Sequence, residues 1–355
     1  MSLAFRVIDT GLREGRANIA FDAALVELHG EGAIPDTMRF LRFQPTALVG
    51  RHQAISRELK LDRCREAGVG TGRRITGGGA IYFSPGMLGW ELVLSRRRLP
   101  MPSLADYARR ICESAAGGLS RAFGIDARYR PRNDIEVAGR KLCGTGGFFD
   151  GDTLFYQGTV LIDVAPEEVM SVLNVPRAKL DKHALDRPES RITTLRELHG
   201  NTPDDTTVQK ALAEGLAQGL GLSLEWSTPT PLEEARADKL YRDEIGSDDF
   251  VFEIDAPTGD DVRRGEAQCA GGTVVAFLRV EGPASTPRIR DVLITGDFLV
   301  TPPRLVLDLE AHLRGVPVSD ASAAVDAFFA TARPEMLSIV AADFRTAIER
   351  ALAGL

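Results

Sequence analysis

Arg73-Arg74-Ile75-Thr76-Gly77-Gly78-Gly79-Ala80 is the stretch on which the reading of this chain turns. Two guanidiniums run straight into three consecutive glycines. Glycine has no Cβ, so a triple glycine lets the main chain approach a ligand closely and aim N–H groups at an anion. Arginine adds a planar fork of donors suited to a carboxylate or phosphate. Further along, Asn133-Asp134-Ile135-Glu136-Val137-Ala138-Gly139-Arg140-Lys141-Leu142-Cys143-Gly144 places a lysine between small residues. Each segment alone is a common pattern, and it is the two together, in this order, that carry the reading.

Around this loop, alternation of apolar and polar residues marks strands at residues 38–43, 80–83, 88–94, 135–137, 153–162 and 222–226. Helical periodicity marks residues 18–29, 59–67, 104–123 and 208–220. Phe149-Asp150-Gly151-Asp152 carries the Asp-Gly core of a hairpin turn. Helices mixed with hairpin-linked strands predict an α+β fold around a mixed, largely antiparallel sheet. The chain changes character at Thr228-Pro229-Thr230-Pro231, and a polar run over 242–249 follows. This divides it into a catalytic domain, 1–245, and a smaller α+β accessory domain, 246–355. The second domain is expected to have strands at 250–254, 265–269, 274–280 and 289–294, then helices at 302–313, 321–332 and 336–352.

At 355 residues, 44% apolar and 26% charged, the chain has the proportions of a globular protein with room for two cores. No apolar run approaches the roughly 20 residues that span a bilayer. The N-terminus lacks the basic-then-apolar pattern of a secretory signal, so a cytoplasmic protein is expected. Cys64, Cys112, Cys143 and Cys269 form no C-x-x-C pair, which speaks for reduced thiols and against a zinc or disulfide framework. The net charge of −7 hides a polarity: sixteen Lys/Arg face eight Asp/Glu between Lys60 and Lys141, whereas ten face seventeen from Gly246 onward. A basic centre suits a polyanion such as ATP and an acidic protein partner. The charge and the lack of a helix-turn-helix or zinc-finger pattern speak against nucleic acid.

The landmarks occur in a recognisable order. Leu48-Val49-Gly50-Arg51-His52-Gln53 comes first, then the arginine and triple-glycine loop, Gly86-Met87-Leu88, and Asn133-Asp134-Ile135 with Lys141. Gln157-Gly158-Thr159-Val160-Leu161, Arg191-Ile192-Thr193-Thr194-Leu195 and Ile294-Thr295-Gly296-Asp297-Phe298 follow. In this order the chain resembles the lipoate-protein ligase A branch of the biotin/lipoate protein ligase superfamily, with its C-terminal accessory domain. The resemblance implies an ATP-dependent ligase that activates lipoate or octanoate as acyl-AMP, with Mg²⁺. The acyl group then passes to a lysine of a lipoyl-domain acceptor protein.

The resemblance also implies roles for particular residues. Lys141 is the catalytic lysine, between the acyl carbonyl and the α-phosphate. Arg74, Gly79, Ala80, Ile81 and Tyr82 contact the nucleotide, with Lys179 and Lys182 on a cationic covering loop over residues 177–191. Arg73, Gly77, Gly78, Gln157, Gly158 and Thr159 shape the lipoate pocket, and Asp134 offers a carboxylate to magnesium. The physical demand is consistent with these roles. Two anions must be held within bonding distance, and preorganised N–H groups and cations meet that need.

The chain departs from the family where Phe83 and Gln157 stand in place of histidines, which leaves the acyl preference open. Relatives that act as octanoyl or lipoyl transferases use a cysteine and no ATP. One type carries that cysteine just before the lysine-bearing strand, where this chain has Asn133-Asp134, and Cys143 follows Lys141. A cysteine transferase and a non-catalytic acyl-binding homologue are therefore the alternatives. Residues from about 246 onward are expected to pack near the site, with residues 242–249 as a hinge.

Overall fold

The computed structural model describes residues 3–131, 133–174, 192–337 and 339–353. The strands of the N-terminal part are β1 (Leu3–Arg13), β2 (Thr37–Phe43), β3 (Thr46–Val49), β4 (Gly70–Arg73), β5 (Ile81–Phe83) and β6 (Met87–Ser95). Then come β7 (Ala127–Arg130), β8 (Asp134–Val137), β9 (Arg140–Asp150), β10 (Thr153–Leu161) and β11 (Leu222–Ser227). Eight of them form one sheet in the order β11-β1-β2-β6-β10-β9-β8-β7. The β11-β1-β2 pairs are parallel and the others antiparallel, so the fold is the expected α+β type with a mainly antiparallel sheet.

One face of this sheet is covered by two helices. Leu104–Phe123 begins at Ser103, whose hydroxyl accepts the Asp106 N–H, and ends at Gly124 in the left-handed conformation. Its stripe of Tyr107, Ile111, Ala115 and Leu119 is fully buried. It packs against the helix Asp205–Leu220 through glycines. A Cβ on Gly118 would lie 2.1 Å from the Ala211 carbonyl oxygen, so only glycine permits this approach. The other face carries the helix Gly15–Gly30 and a small sheet of order β4-β3-β5. Because β4 ends at Arg73 and β5 begins at Ile81, this small sheet anchors both ends of the glycine loop.

The C-terminal part contains β12 (Arg263–Cys269), β13 (Gly272–Glu281) and β14 (Arg288–Gly296) in one antiparallel sheet, and β15 (Leu299–Thr301) paired with β16 (Glu335–Leu337). Helices Leu305–Leu313, Ala321–Ala332 and Ala341–Leu352 complete a second core around Val274, Ile294, Phe298 and Phe344.

Two sequence expectations are corrected here. The strand at 250–254 is instead a short helix, Asp248–Val251, because Ser247 caps its N-terminus and Phe250 and Val251 turn into the core of the first unit. The single helix over 336–352 splits, because Glu335 is drawn to Arg96 and to the Leu104 N–H and carries β16 with it. The polar stretch 242–249 runs from a π-helical turn, Tyr241–Ile245, with Ile245 buried, into the helix Asp248–Val251. The chain stays tied to the first unit through Asp255, which accepts from the Ser56 N–H and hydroxyl.

Candidate active site

Lys141 owes its direction to a β-bulge. Ile135 pairs with Cys143 and Glu136 with Lys141, so β9 carries one extra residue, Leu142, against β8. An extra residue reverses the alternation of side chains. Leu142 and Cys143 therefore enter the core, while Lys141 shares a face with Gly144. Its ammonium stands 2.9 Å from Asp134 Oδ1, and Arg130 pairs with the other oxygen of that carboxylate. Burial alone would raise the Asp134 carboxyl, but Lys141 and Arg130 outweigh it and hold it below the usual value. Both oxygens of the Asp134 carboxylate thus face cations. Among the described residues no cluster of three His, Cys, Asp or Glu side chains could hold a metal ion.

Strand register builds a trough beside this lysine. Leu41, Gly89, Thr159 and Gly144 form one row across β2, β6, β10 and β9, and Arg39, Glu91, Gln157 and Gly146 form the next. The glycines at 89, 144 and 146 leave the sheet surface low between the taller side chains. Ile19, Phe43, Phe83 and Arg74 wall the β6 side into a slot. The slot is narrow. A larger hollow of about 490 Å³ lies among His29, Asp36, Arg98 and Asp152, at the opposite end of β9. That end is roughly 30 Å from Lys141 along the strand, so the hollow is not part of this site.

The glycine loop roofs the trough. Gln157 donates to Thr76 Oγ1 at 2.7 Å and ties the loop to β10. Arg74 is buried and donates to the carbonyls of Leu48, Gly77 and Gly79, at 3.4, 3.2 and 2.7 Å. Burial lowers its pKa to about 10, which leaves it charged at neutral pH. Gly77, Gly78, Gly79, Ala80 and Ile81 form a continuous half-exposed strip, whereas the Tyr82 side chain is buried with its hydroxyl 3.5 Å from Glu168. Gly158 is buried edge-on against Trp90, where a Cβ would lie 2.3 Å from the indole. Lys179, Lys182 and Arg191 lie outside the described residues.

Arg73 does not open onto the trough. It is 1% exposed and donates to the carbonyls of Gly50, Arg51 and Gln53 on one side and of Val251 and Ile254 on the other. Burial and the neighbouring Arg51 charge lower it to about 9. His52, buried beside these two cations, is pushed down to about 3 and is neutral; its ring stacks on Phe298 at 5.2 Å. Arg73 thus knots the segment Leu48–Gln53 to the chain that leads into the C-terminal unit.

Sequence reasoning did not find three features of the site: Arg130, the Arg39–Glu91–Asp22 cluster, and the contact made by Phe298 and Leu299. The Phe298 carbonyl accepts the Gly78 N–H at 2.9 Å, and a Cβ on Gly77 would lie 2.1 Å from the same oxygen. Leu299 reaches over Gly78 and Gly146. Glu91 carried one signal, a charge in the middle of the otherwise apolar strand β6.

The sheet, the bulged lysine strand and the glycine loop define a class that the comparisons identify. Residues 14–217 match the lipoyl protein ligase A/B catalytic domain, and the chain belongs to that family. It is 28% identical over 273 residues to an octanoyltransferase LipM of Symbiobacterium thermophilum, covering 70% of this chain and 98% of that protein. It is 25% identical over 245 residues to lipoate-protein ligase A subunit 1 of Thermoplasma acidophilum, covering 66% and 91%. Among solved structures, P. falciparum LipL1 in complex with lipoate matches with a TM-score of 0.68 at 17% identity, over 92% of this chain and 94% of that one. The bipartite lipoate protein ligase of T. acidophilum, solved in a study of that ligase and its E2 lipoyl domain, matches at 0.61 and 22% identity, over 72% and 99%. At these identities the structural matches show a shared fold, and the first extends it into the C-terminal unit. Among the described residues no helix is long and apolar enough to cross a membrane.

Proposed function

We propose that the protein is an ATP-dependent lipoate-protein ligase, which activates lipoate or octanoate as acyl-AMP and passes the acyl group to a lysine of a lipoyl-domain protein. The observation that carries this reading is the lack of a usable thiol beside Lys141. By the family resemblance, Asn133 and Asp134 stand where one type of transferase carries its cysteine. Cys143, the nearest thiol in sequence, is fully buried in the core, and burial pushes it up to about 12. A nucleophilic cysteine needs an accessible thiolate, and the burial of Cys143 works against one. Cys112 is likewise buried and raised to about 11.

Without a covalent nucleophile, the acid must be activated by a leaving group. The acyl carboxylate attacks the α-phosphorus of ATP, pyrophosphate departs, and the mixed anhydride stays at Lys141. The acceptor amine then attacks the acyl carbonyl, and AMP leaves with the electron pair of the broken C–O bond. Lys141 neutralises oxygen charge in both transition states, and Asp134 with Arg130 holds it in position. The half-exposed strip from Gly77 to Ile81 offers N–H groups to the nucleotide, and the trough holds the acyl chain. Lys179 and Lys182 belong to this reading as cations for the phosphates and lie outside the described residues. Magnesium enters as the companion of ATP, and no protein carboxylate described here is assigned to it.

Octanoyl transfer from a carrier protein is the second reading, favoured by the likeness to LipM octanoyltransferases. Incubation with lipoate or octanoate, MgATP and an apo lipoyl domain separates the two. The ligase reading expects stoichiometric pyrophosphate and no protein thioester. Transfer from octanoyl carrier protein without ATP, through an octanoyl-cysteine visible by mass spectrometry, overturns it.

A further inference from the structure

The main chain at Lys141 is pinned from two sides. Towards β8 it faces Glu136 beside the bulge. On the other side β10 stops pairing with β9 at Val160 opposite Cys143, so the peptide of Lys141 lies beyond its strand neighbour. The chain re-entering at Ile192 takes that place. Ile192 forms a parallel bridge with Lys141, and the Thr193 N–H donates to the Lys141 carbonyl at 2.9 Å. Arg140 locks the arrangement. Its guanidinium donates to the Ile192 carbonyl and forks onto both oxygens of Glu197, to Oε2 at 2.9 Å. The Thr193 hydroxyl donates to the same carboxylate at 3.1 Å. Arg140 first, against a smaller opposing effect of burial, holds the Glu197 carboxyl below its usual range.

Glu197 sits on a fixed mount. It belongs to the short helix Leu195–His199, which Thr194 caps by accepting the Glu197 N–H, and Leu195 is fully buried. The Arg196 N–H donates to the Ile162 carbonyl at 3.0 Å, and its guanidinium reaches both oxygens of Asp163, at 3.0 and 3.2 Å. The His199 ring meets Phe123 edge-on at 5.6 Å. The Arg140–Glu197 pair therefore ties the backbone at Lys141 to the end of β10 and to the helix Leu104–Phe123. The two side chains are themselves 34% and 50% exposed, and open pairs of this kind contribute little to stability. A planar fork on three acceptors in set places serves geometry instead.

We propose that Arg140 and Glu197 are positioning residues for Lys141: they hold Ile192 and Thr193 against the peptide of the lysine and so set where its ammonium stands. The proposal rests on reading Lys141 as the lysine that serves acyl-AMP formation.

The test measures kcat and the lipoate KM by pyrophosphate release in the wild type, Arg140→Ala, Glu197→Gln, Lys141→Ala and Arg140→Ala/Lys141→Ala. Arg140→Ala should lower kcat about ten- to hundred-fold, the cost of a displaced reacting group. Its KM should stay within about two-fold and its Tm within about 3 °C of the wild type. Glu197→Gln, which keeps one acceptor oxygen, should lose about three- to ten-fold. Where Lys141 is already alanine, Arg140→Ala should cost nothing further, because the pair acts through the lysine. Losses that multiply in the double variant, an unchanged kcat, or a loss confined to KM overturn the proposal. If Arg140→Ala does not fold, Glu197→Gln, alone and combined with Lys141→Ala, is read in its place. A wild type that releases no pyrophosphate sinks the ligase reading by itself. The rate at which acetic anhydride acetylates Lys141, followed by mass spectrometry of its peptide, then judges the pair. Arg140→Ala should raise that rate about three-fold as the ammonium loosens from Asp134, and an equal or lower rate overturns the proposal.

Discussion

Gly144→Ala isolates the orientation of Lys141 from its charge. An added Cβ would stand 2.6 Å from Lys141 Nζ and 2.7 Å from Cε, and 3.8 Å from Asp134 Oδ1. No backbone atom is among these contacts, and Gly144 does not use a positive φ, so the strand itself accepts alanine. The lysine end must move by about 1 Å to restore ordinary contact, and a misplacement of that size costs on the order of 10²-fold in rate. The ion pair it disturbs is partly open to solvent, since the Lys141 side chain is 37% exposed, so the stability change should stay within about 1 kcal/mol. Lys141→Ala removes the cation outright and should cost about 10²–10³-fold. The assay is single-turnover adenylate formation in both variants and in Gly144→Ala/Lys141→Ala, with denaturant melts as the control. In the double variant the new methyl has no lysine to displace, so its rate should equal that of Lys141→Ala alone. A Gly144→Ala enzyme at wild-type rate, or losses that multiply in the double variant, would refute the orientation argument.

Three further outcomes follow from the same geometry. Under native conditions at pH 8, iodoacetamide should label Cys269, which is half-exposed, and spare Cys143; rapid labelling of Cys143 would contradict its burial. His52 has a folded-state pKa of about 3, below its ordinary value of about 6.5. The unfolded chain therefore binds the proton first, and the stability His52 contributes, complete above about pH 6.5, is lost as pH falls towards 3. His52→Asn should flatten that acid limb, and an unchanged slope refutes the assignment. Gly77→Ala places a Cβ against the Phe298 backbone and should free the C-terminal unit from the loop. Limited proteolysis should then cut within residues 256–262 faster than in the wild type, and an unaltered cleavage rate would show that this contact does not hold the two units together.

Sequence alone determined what depends on neighbours along the chain. The helix Leu104–Phe123 followed from a spaced apolar stripe between Ser103 and Gly124, and the β9–β10 hairpin followed from Asp150-Gly151. The Arg-Arg and triple-glycine order, with Lys141 downstream, was enough to place the chain in its family. Tertiary structure decided which atoms those residues meet. Arg73 and Arg74 are adjacent and chemically alike, yet one knots Gly50–Gln53 to Val251 and Ile254 while the other lines the slot. Their opposite orientations follow from strand pairing at β4. Cys143 sits two residues from Lys141, a spacing that puts both on one face of a regular strand, and only the bulge against β8 separates them. The Arg39–Glu91 pair joins β2 to β6 across 52 residues, and Phe298 meets the glycine loop from more than 200 residues away. A periodic pattern reports which face of its own element a residue occupies. Register and long-range closure choose the partner on that face, and no local signal carries that choice.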